Sequence, residues 1–211
     1  MKVLFVNGST HTHGATAAAI EEMRDEFDRN GIESEIFHVP SDTLPCKACM
    51  ACRSLGKCII DDAVNMIHQK MEGSDGLLIA SPVYYGSMSG SLVCFLNRLF
   101  VSTPKSLFKL KPAAALTVSR RLGNTTAFDA INKYFMVADM LVVGSNDWNE
   151  VHGLDYEEVS FDLEGRQTLR RLAKNMSYCL KICDLAKKAG LKMPEYEEKI
   201  RTSFIDGKEN L

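Results

Sequence analysis

Three groups of residues have the types and spacing for chemistry. Cys46, Cys49, Cys52 and Cys58 form the pattern C-x2-C-x2-C-x5-C. Three thiols at steps of three can wrap one metal centre without a helix or strand to fix them, and the fourth closes the set. The first three match the run that binds iron–sulfur clusters in bacterial ferredoxins, but the last gap is longer and no Pro follows Cys58. Four thiolates suit a [4Fe–4S] cluster, tetrahedral zinc, or free thiols in redox exchange. Zinc sites more often pair two separated C-x2-C knuckles, and the spacing leaves all three open. The second group is Asn7-Gly8-Ser9-Thr10-His11-Thr12-His13-Gly14-Ala15-Thr16, between an apolar run and a helical pattern. Hydroxyls at a helix N-terminus, where backbone N–H groups lack partners and the dipole is positive, suit a phosphate; the alternative is an ordinary capped turn. The third is Ser81-Pro82-Val83-Tyr84-Tyr85-Gly86, with two adjacent phenols. They can stack on a flat ring, or simply pack in a core or interface.

These groups need elements to hold them. Val3–Val6 is a short apolar block suited to a strand buried on both faces, and Ala15–Arg29 has apolar residues at helical spacing, stopped by Asn30-Gly31. Further strands are expected at Ser34–Val39, Gly76–Ala80, Ala113–Val118 and Met140–Val143. Further helices are expected from Asp61-Asp62, over Leu92–Val101, from a cap at Thr125 or Thr126 to about Ala138, and over Arg166–Lys188. Residues 145–164 read as irregular. This alternation predicts an α/β flavodoxin-like three-layer sandwich with a five-stranded parallel sheet of order 2-1-3-4-5. Residues 1–190 would form the domain, residues 41–60 a cysteine-bearing insertion, and residues 191–211 a tail. The crevice then lies at the carboxyl ends of strands 1 and 3, where the hydroxyl loop and the Tyr84-Tyr85 loop meet.

The loop lacks G-x-G-x-x-G and the lysine of a P-loop, so a dinucleotide fingerprint and an NTPase are both disfavoured. A single terminal phosphate fits better. Gly86 and Gly123 allow backbone N–H groups to approach a ring edge. Flavin mononucleotide, with one phosphate and a wide planar ring, is the ligand that best meets these demands. The net charge of −2 predicts no general attraction to nucleic acid or to anionic membranes. No apolar run approaches the roughly 20 residues of a membrane span. With Met1-Lys2 running straight into the first strand and clustered thiols, a cytoplasmic, reducing location is expected. Cys94, Cys179 and Cys183 fall on apolar helical faces and read as small buried hydrophobes. His68 reads as a surface or half-buried helix residue.

The hydroxyl loop resembles the G-S-P-R-x-x-G-N-T phosphate loop of the NADPH-dependent FMN reductase group of flavodoxin-like proteins, and Ser81–Gly86 resembles that group's second flavin loop. The cysteine run resembles the iron–sulfur flavoprotein branch. Thr10, His11 and Ala15 stand where the group has Pro, Arg and Asn. A neutral His makes a weaker phosphate contact than Arg. The resemblance implies FMN held by Ser9, His11, Gly14, Ala15, Thr16, Pro82, Val83, Tyr84, Tyr85 and Gly86 and by the Ser119–Asn124 loop, including Gly123. It implies a homodimer or homotetramer whose partner helps enclose the ring, and a [4Fe–4S] cluster on Cys46, Cys49, Cys52 and Cys58. The activity expected is an oxidoreductase passing electrons from NAD(P)H, or from a carrier such as ferredoxin, to a small acceptor or the cluster. The alternative is an electron-transfer or redox-sensing flavoprotein without turnover of its own. Arg120 and Arg121 can supply positive charge beside the ring or meet a nucleotide phosphate; equally, they are solvated surface residues. No general base stands out.

Overall fold

The computed structural model describes residues 1–198, 200 and 202. By compactness the chain divides into two units, residues 1–181 and 182–211. The first holds the sheet. Strands β1 (Lys2–Asn7), β2 (Glu33–His38), β3 (Gly76–Tyr84), β5 (Pro112–Ser119) and β6 (Leu141–Val142) lie in the order β2-β1-β3-β5-β6. These pairs are parallel. Two-residue β4 (Ser87–Met88) folds back antiparallel on β3, and β7 (Glu150–His152) adds a second parallel segment to β5.

Helices α1 (Ala15–Arg29) and α6 (Leu163–Lys188) bring side chains to one sheet face. Helices α3 (Ala63–Glu72), α4 (Gly90–Ser102) and α5 (Asn124–Val137) bring theirs to the other. Strand alternation divides the core cleanly. Val3 and Phe5 pack with Ile20, Met23, Phe27 and Leu172. Leu4 and Val6 pack with Val64, Ile67, Phe95 and Leu96. Short helix α2 (Cys52–Leu55) lies within the cysteine segment. No described helix is long and apolar enough to cross a membrane.

The expected strand order holds, with β5 and β6 as the fourth and fifth parallel strands. Three expectations change. Residues 145–164 are not wholly irregular: β7 pairs Thr117, Val118 and Ser119 with Glu150, Val151 and His152. The fifth sheet position is therefore split between β6 and β7. Neither Thr125 nor Thr126 caps α5, which begins at Asn124 behind Gly123 in the left-handed region at φ +93°. Cys94, Cys179 and Cys183 are half-buried rather than buried. His68 is half-buried, as expected, and its ring bonds the Thr103 hydroxyl at 2.7 Å.

Candidate functional site

The loops after β1, β3 and β5 converge at the carboxyl edge of the sheet. Gly8 N–H donates to Ala80 O at 2.8 Å, so the first loop leaves β1 against the end of β3. Asn7 Oδ1 accepts from Ser9 N–H at 2.9 Å, and Ser9 Oγ accepts from His11 N–H at 3.1 Å. These two short turns curl the loop ahead of α1. Its N-cap is Gly14, which brings no capping side chain. The first helical bond closes from Ala18 N–H to Gly14 O, so the Ala15, Thr16 and Ala17 amides have no intrahelical acceptor. Ser9 and Thr16 are buried there, while His11 is exposed.

Strand β3 continues through Pro82 and Val83 to Tyr84, so the second loop is the tip of a hairpin. Val83 and Tyr84 pair with Met88 and Ser87. Tyr85 and Gly86 turn the chain with φ of +52° and +72°. Two positive φ values are the mark of a type I′ turn. Neither phenol is part of a core: Tyr84 is 44% exposed and Tyr85 fully exposed. The third loop touches this hairpin. A Cβ on Gly123 would lie 2.9 Å from Gly86 Cα and 3.1 Å from Val83 Cγ1, so only glycine allows the approach. Ser89 ties the other side: its hydroxyl donates to Gly8 O at 2.6 Å and caps α4 through Leu92 N–H.

Among the buried polar atoms without a hydrogen-bond partner, four lie on β1, β5 and the start of α5: Asn7 Nδ2, Thr117 Oγ1, Ser119 Oγ and Asn124 Oδ1. An unmade bond costs a buried group about 1–3 kcal/mol, so such atoms cluster where a ligand completes them. Together with the unpaired amides of α1 they fit a ligand with a phosphate at one end and polar ring edges at the other.

Sequence reasoning missed two features here. His13, in the first loop, stacks on Tyr156 with ring centroids 4.1 Å apart, and Tyr156 bonds Glu21. His152 stands opposite Ser119 through β7. Its Nε2 accepts from Asn124 Nδ2 at 3.4 Å, and its Nδ1 lies 3.5 Å from Asp162 Oδ2. Asp162 also accepts from His152 N–H and Gly165 N–H. Nearby, burial pushes the Glu150 carboxyl above its ordinary value. Only the pairing of β7 on β5 brings these groups beside Asn124, and that pairing has no local sequence signal. Arg120 and Arg121 are both exposed.

The four cysteines line one cleft with Met50, Ile59, Val101 and Ser102. Ala48 and Met50 take left-handed backbone at φ +51° and +59°, which winds the segment between thiols. Cys52 Sγ contacts Val101 O at 3.8 Å. Asn65 fastens the far end: its Oδ1 accepts from Cys58 N–H and its Nδ2 donates to Cys58 O. Among the described residues no three His, Cys, Asp or Glu side chains are gathered around one point to hold a metal ion. The cleft instead offers four separate thiols and the Ser102 hydroxyl, which is buried and has no partner.

Residues 1–155 match the family described as NADPH-dependent FMN reductase. The chain belongs to that family. An iron-sulfur flavoprotein of Methanocaldococcus jannaschii is 32% identical over 193 residues, covering 86% of this chain and 98% of that protein. An iron-sulfur flavoprotein of Methanosarcina thermophila is 31% identical over 189 residues, covering 88% and 95%. Solved structures share the fold at lower identity. RosB with a bound formylated riboflavin-phosphate intermediate aligns at TM-score 0.68 and 15% identity, over 97% of this chain and 92% of that one. FerB, an NAD(P)H:acceptor oxidoreductase of Paracoccus denitrificans, aligns at 0.65 and 14%, over 86% and 97%. This FMN reductase family member thus carries its three loops on a flavodoxin-like sheet, with the cysteine segment between β2 and α3.

Proposed function

We propose that the protein is an FMN-dependent oxidoreductase that takes electrons from NAD(P)H or a reduced carrier and delivers them to a small acceptor or to a [4Fe–4S] cluster. The observation that carries the flavin reading is the set of four unpartnered buried atoms beside the free amides of α1. In this reading the Ala15 and Thr16 amides, Ser9, His11 and Gly14 hold the phosphate. The helix dipole and the short-range N–H groups bind it. Asn7, Ser119, Gly123 and Asn124 meet the polar edge of the ring, and Pro82 to Gly86 wall it. The exposed Tyr84 and Tyr85 control access to the ring face and supply a surface for a partner copy in a homo-oligomer. When bound, FMN accepts electrons in pairs and releases them singly.

Cys46, Cys49, Cys52 and Cys58 would ligate the cluster. Four thiols on one cleft, with apolar walls and an unpartnered hydroxyl, support that assignment, as does the name of the relatives at 32% and 31% identity. Helix α4 joins the two places. Its cap Ser89 bonds the first loop, while Arg98 bonds Cys58 about 13 Å further along the axis, at ~1.5 Å per residue.

The test is a visible spectrum of protein prepared without oxygen, followed by additions of NADH, NADPH and reduced ferredoxin. Flavin bands with a broad iron–sulfur shoulder, bleached catalytically by a nicotinamide nucleotide, are expected. A colourless protein that stays colourless on adding FMN would overturn the flavin assignment. Bleaching by ferredoxin alone would replace the enzyme with an electron carrier.

A further inference from the structure

Arg98 is buried to 1% exposure, the bulkiest of the fully buried side chains among the described residues. A guanidinium so placed costs several kcal/mol unless it is paired and its donors are used. Nη1 donates to Asp62 Oδ2 at 2.7 Å, and Nη2 to Asp62 Oδ1 at 2.8 Å. Nε and Nη2 each donate to Cys58 Sγ at 3.3 Å. The remaining bonds go to Leu44 O at 3.3 Å and Ile60 O at 3.1 Å. Leu44 precedes Cys46 and Ile60 follows Cys58, so one side chain clasps both ends of the cysteine segment. Burial acts to raise the Asp62 carboxyl, but Arg98 and the Val64 N–H outweigh it and hold the group below its ordinary value.

Stability alone does not account for this arrangement. An apolar side chain of similar volume commonly replaces a buried ion pair at no loss. The fork of Arg98 does something such a side chain cannot: it points two N–H donors at a sulfur in the cleft.

We propose that Arg98 is the positioning residue of the cysteine centre, holding Cys58 as a ligand and raising the reduction potential of the cluster through its charge and its two N–H···S bonds. This inference rests on the reading of the four cysteines as cluster ligands. Reduction adds negative charge to the centre. A fixed cation and N–H donors at a ligand sulfur stabilise the reduced form, and a carboxylate nearby opposes it. Asp62 therefore works against Arg98 electrostatically while orienting it.

The experiment uses full-length protein reconstituted anaerobically with iron, sulfide and FMN. Three quantities are read: iron per chain, the rate of iron loss to a chelator, and the cluster midpoint potential. FMN content serves as the folding control. In Arg98→Met the midpoint moves to more negative potential and iron is lost about tenfold faster. In Arg98→Lys the charge remains without the fork and its two N–H···S bonds, so iron loss is faster and the midpoint falls, but by less than in Arg98→Met. In Asp62→Asn, which keeps a good cap for α3, the midpoint moves to more positive potential. Should Arg98→Met fail to bind FMN, the other two variants decide the matter. If the wild-type protein binds FMN but takes up no iron, the cluster reading itself fails. If it takes up the cluster, yet the Arg98 and Asp62 variants leave the potential unmoved or shift it in the same direction, Arg98 is a packing residue and the proposal is overturned.

Discussion

Single residues separate the binding terms of the candidate site. Ser9 is buried beside the free amides of α1, and its hydroxyl oxygen already accepts from His11 N–H. Its proton is available to a phosphate oxygen. A hydrogen bond to a charged group contributes about 1.5–3 kcal/mol, so Ser9→Ala should weaken FMN binding roughly tenfold or more. Riboflavin has no phosphate, and its weaker binding should not change. Fluorescence titration with both ligands measures this, and an equal loss for both would move the phosphate elsewhere. Glu22 tests stability instead. Burial acts to raise its carboxyl, but Arg170 and Arg166 together hold it below its ordinary value. A depressed folded pKa contributes stability above the unfolded value of about 4.3 and loses it as pH falls through the folded one. Glu22→Gln should therefore cost about 1–2 kcal/mol at pH 7 and progressively less below about pH 4. Urea unfolding at pH 7 and pH 3.5 gives the comparison; a penalty equal at both pH values would show that the ion pairs contribute nothing.

At the scale of elements, the β3–β4 hairpin sets stability against access. Tyr85 occupies the left-handed region, which costs a non-glycine residue roughly 1–2 kcal/mol. Asn-Gly is the pair that a type I′ turn prefers. Tyr85→Asn should raise the melting temperature of the flavin-free protein by roughly 2–4 °C for a chain of this size, while weakening FMN binding through the lost ring contact. A rise in both stability and affinity would remove Tyr85 from the site. Gly123→Ala should do harm on both counts, since its φ and its 2.9 Å approach to Gly86 leave no room for a methyl group. The sequence made much of this legible, and for local reasons. Ala15–Arg29 was readable because apolar spacing, helix formers and Asn30-Gly31 all agree, and the helix has those limits. Buried parallel strands were readable as apolar runs. Strand β7 was not, because Glu150-Val151-His152 has one apolar residue and becomes a strand only by pairing with β5. The same distant pairing hid His152 and Asp162. Arg98 was equally illegible: a lone arginine in an apolar helix gives no hint that its partners lie at Leu44, Cys58, Ile60 and Asp62.

At the scale of the molecule, the two sites differ in what supports them. The three loops at the carboxyl edge are carried by strands buried in both cores, so their geometry shares the stability of the whole sheet. In the cysteine segment, Cys58 is the one residue that packs against a core. Between Cys46 and Cys58 its one regular element is the single turn of α2, whose residues include none that are buried. It is held from outside, by Arg98 and Asn65, and in the proposed function by the cluster itself. Metal ligation should then order this segment and little else. Removing iron with a chelator under anaerobic conditions should leave FMN bound and the far-ultraviolet circular dichroism unchanged. Trypsin provides the local readout, because Lys47, Arg53 and Lys57 are all exposed within the segment. Cleavage at these three residues should be slow in the iron-loaded protein and several-fold faster after chelation, while sites in α1 and α6 stay protected. Loss of FMN together with iron, or cleavage that spreads to the sheet, would mean that the cysteine centre supports the whole fold rather than one loop clasped to α4.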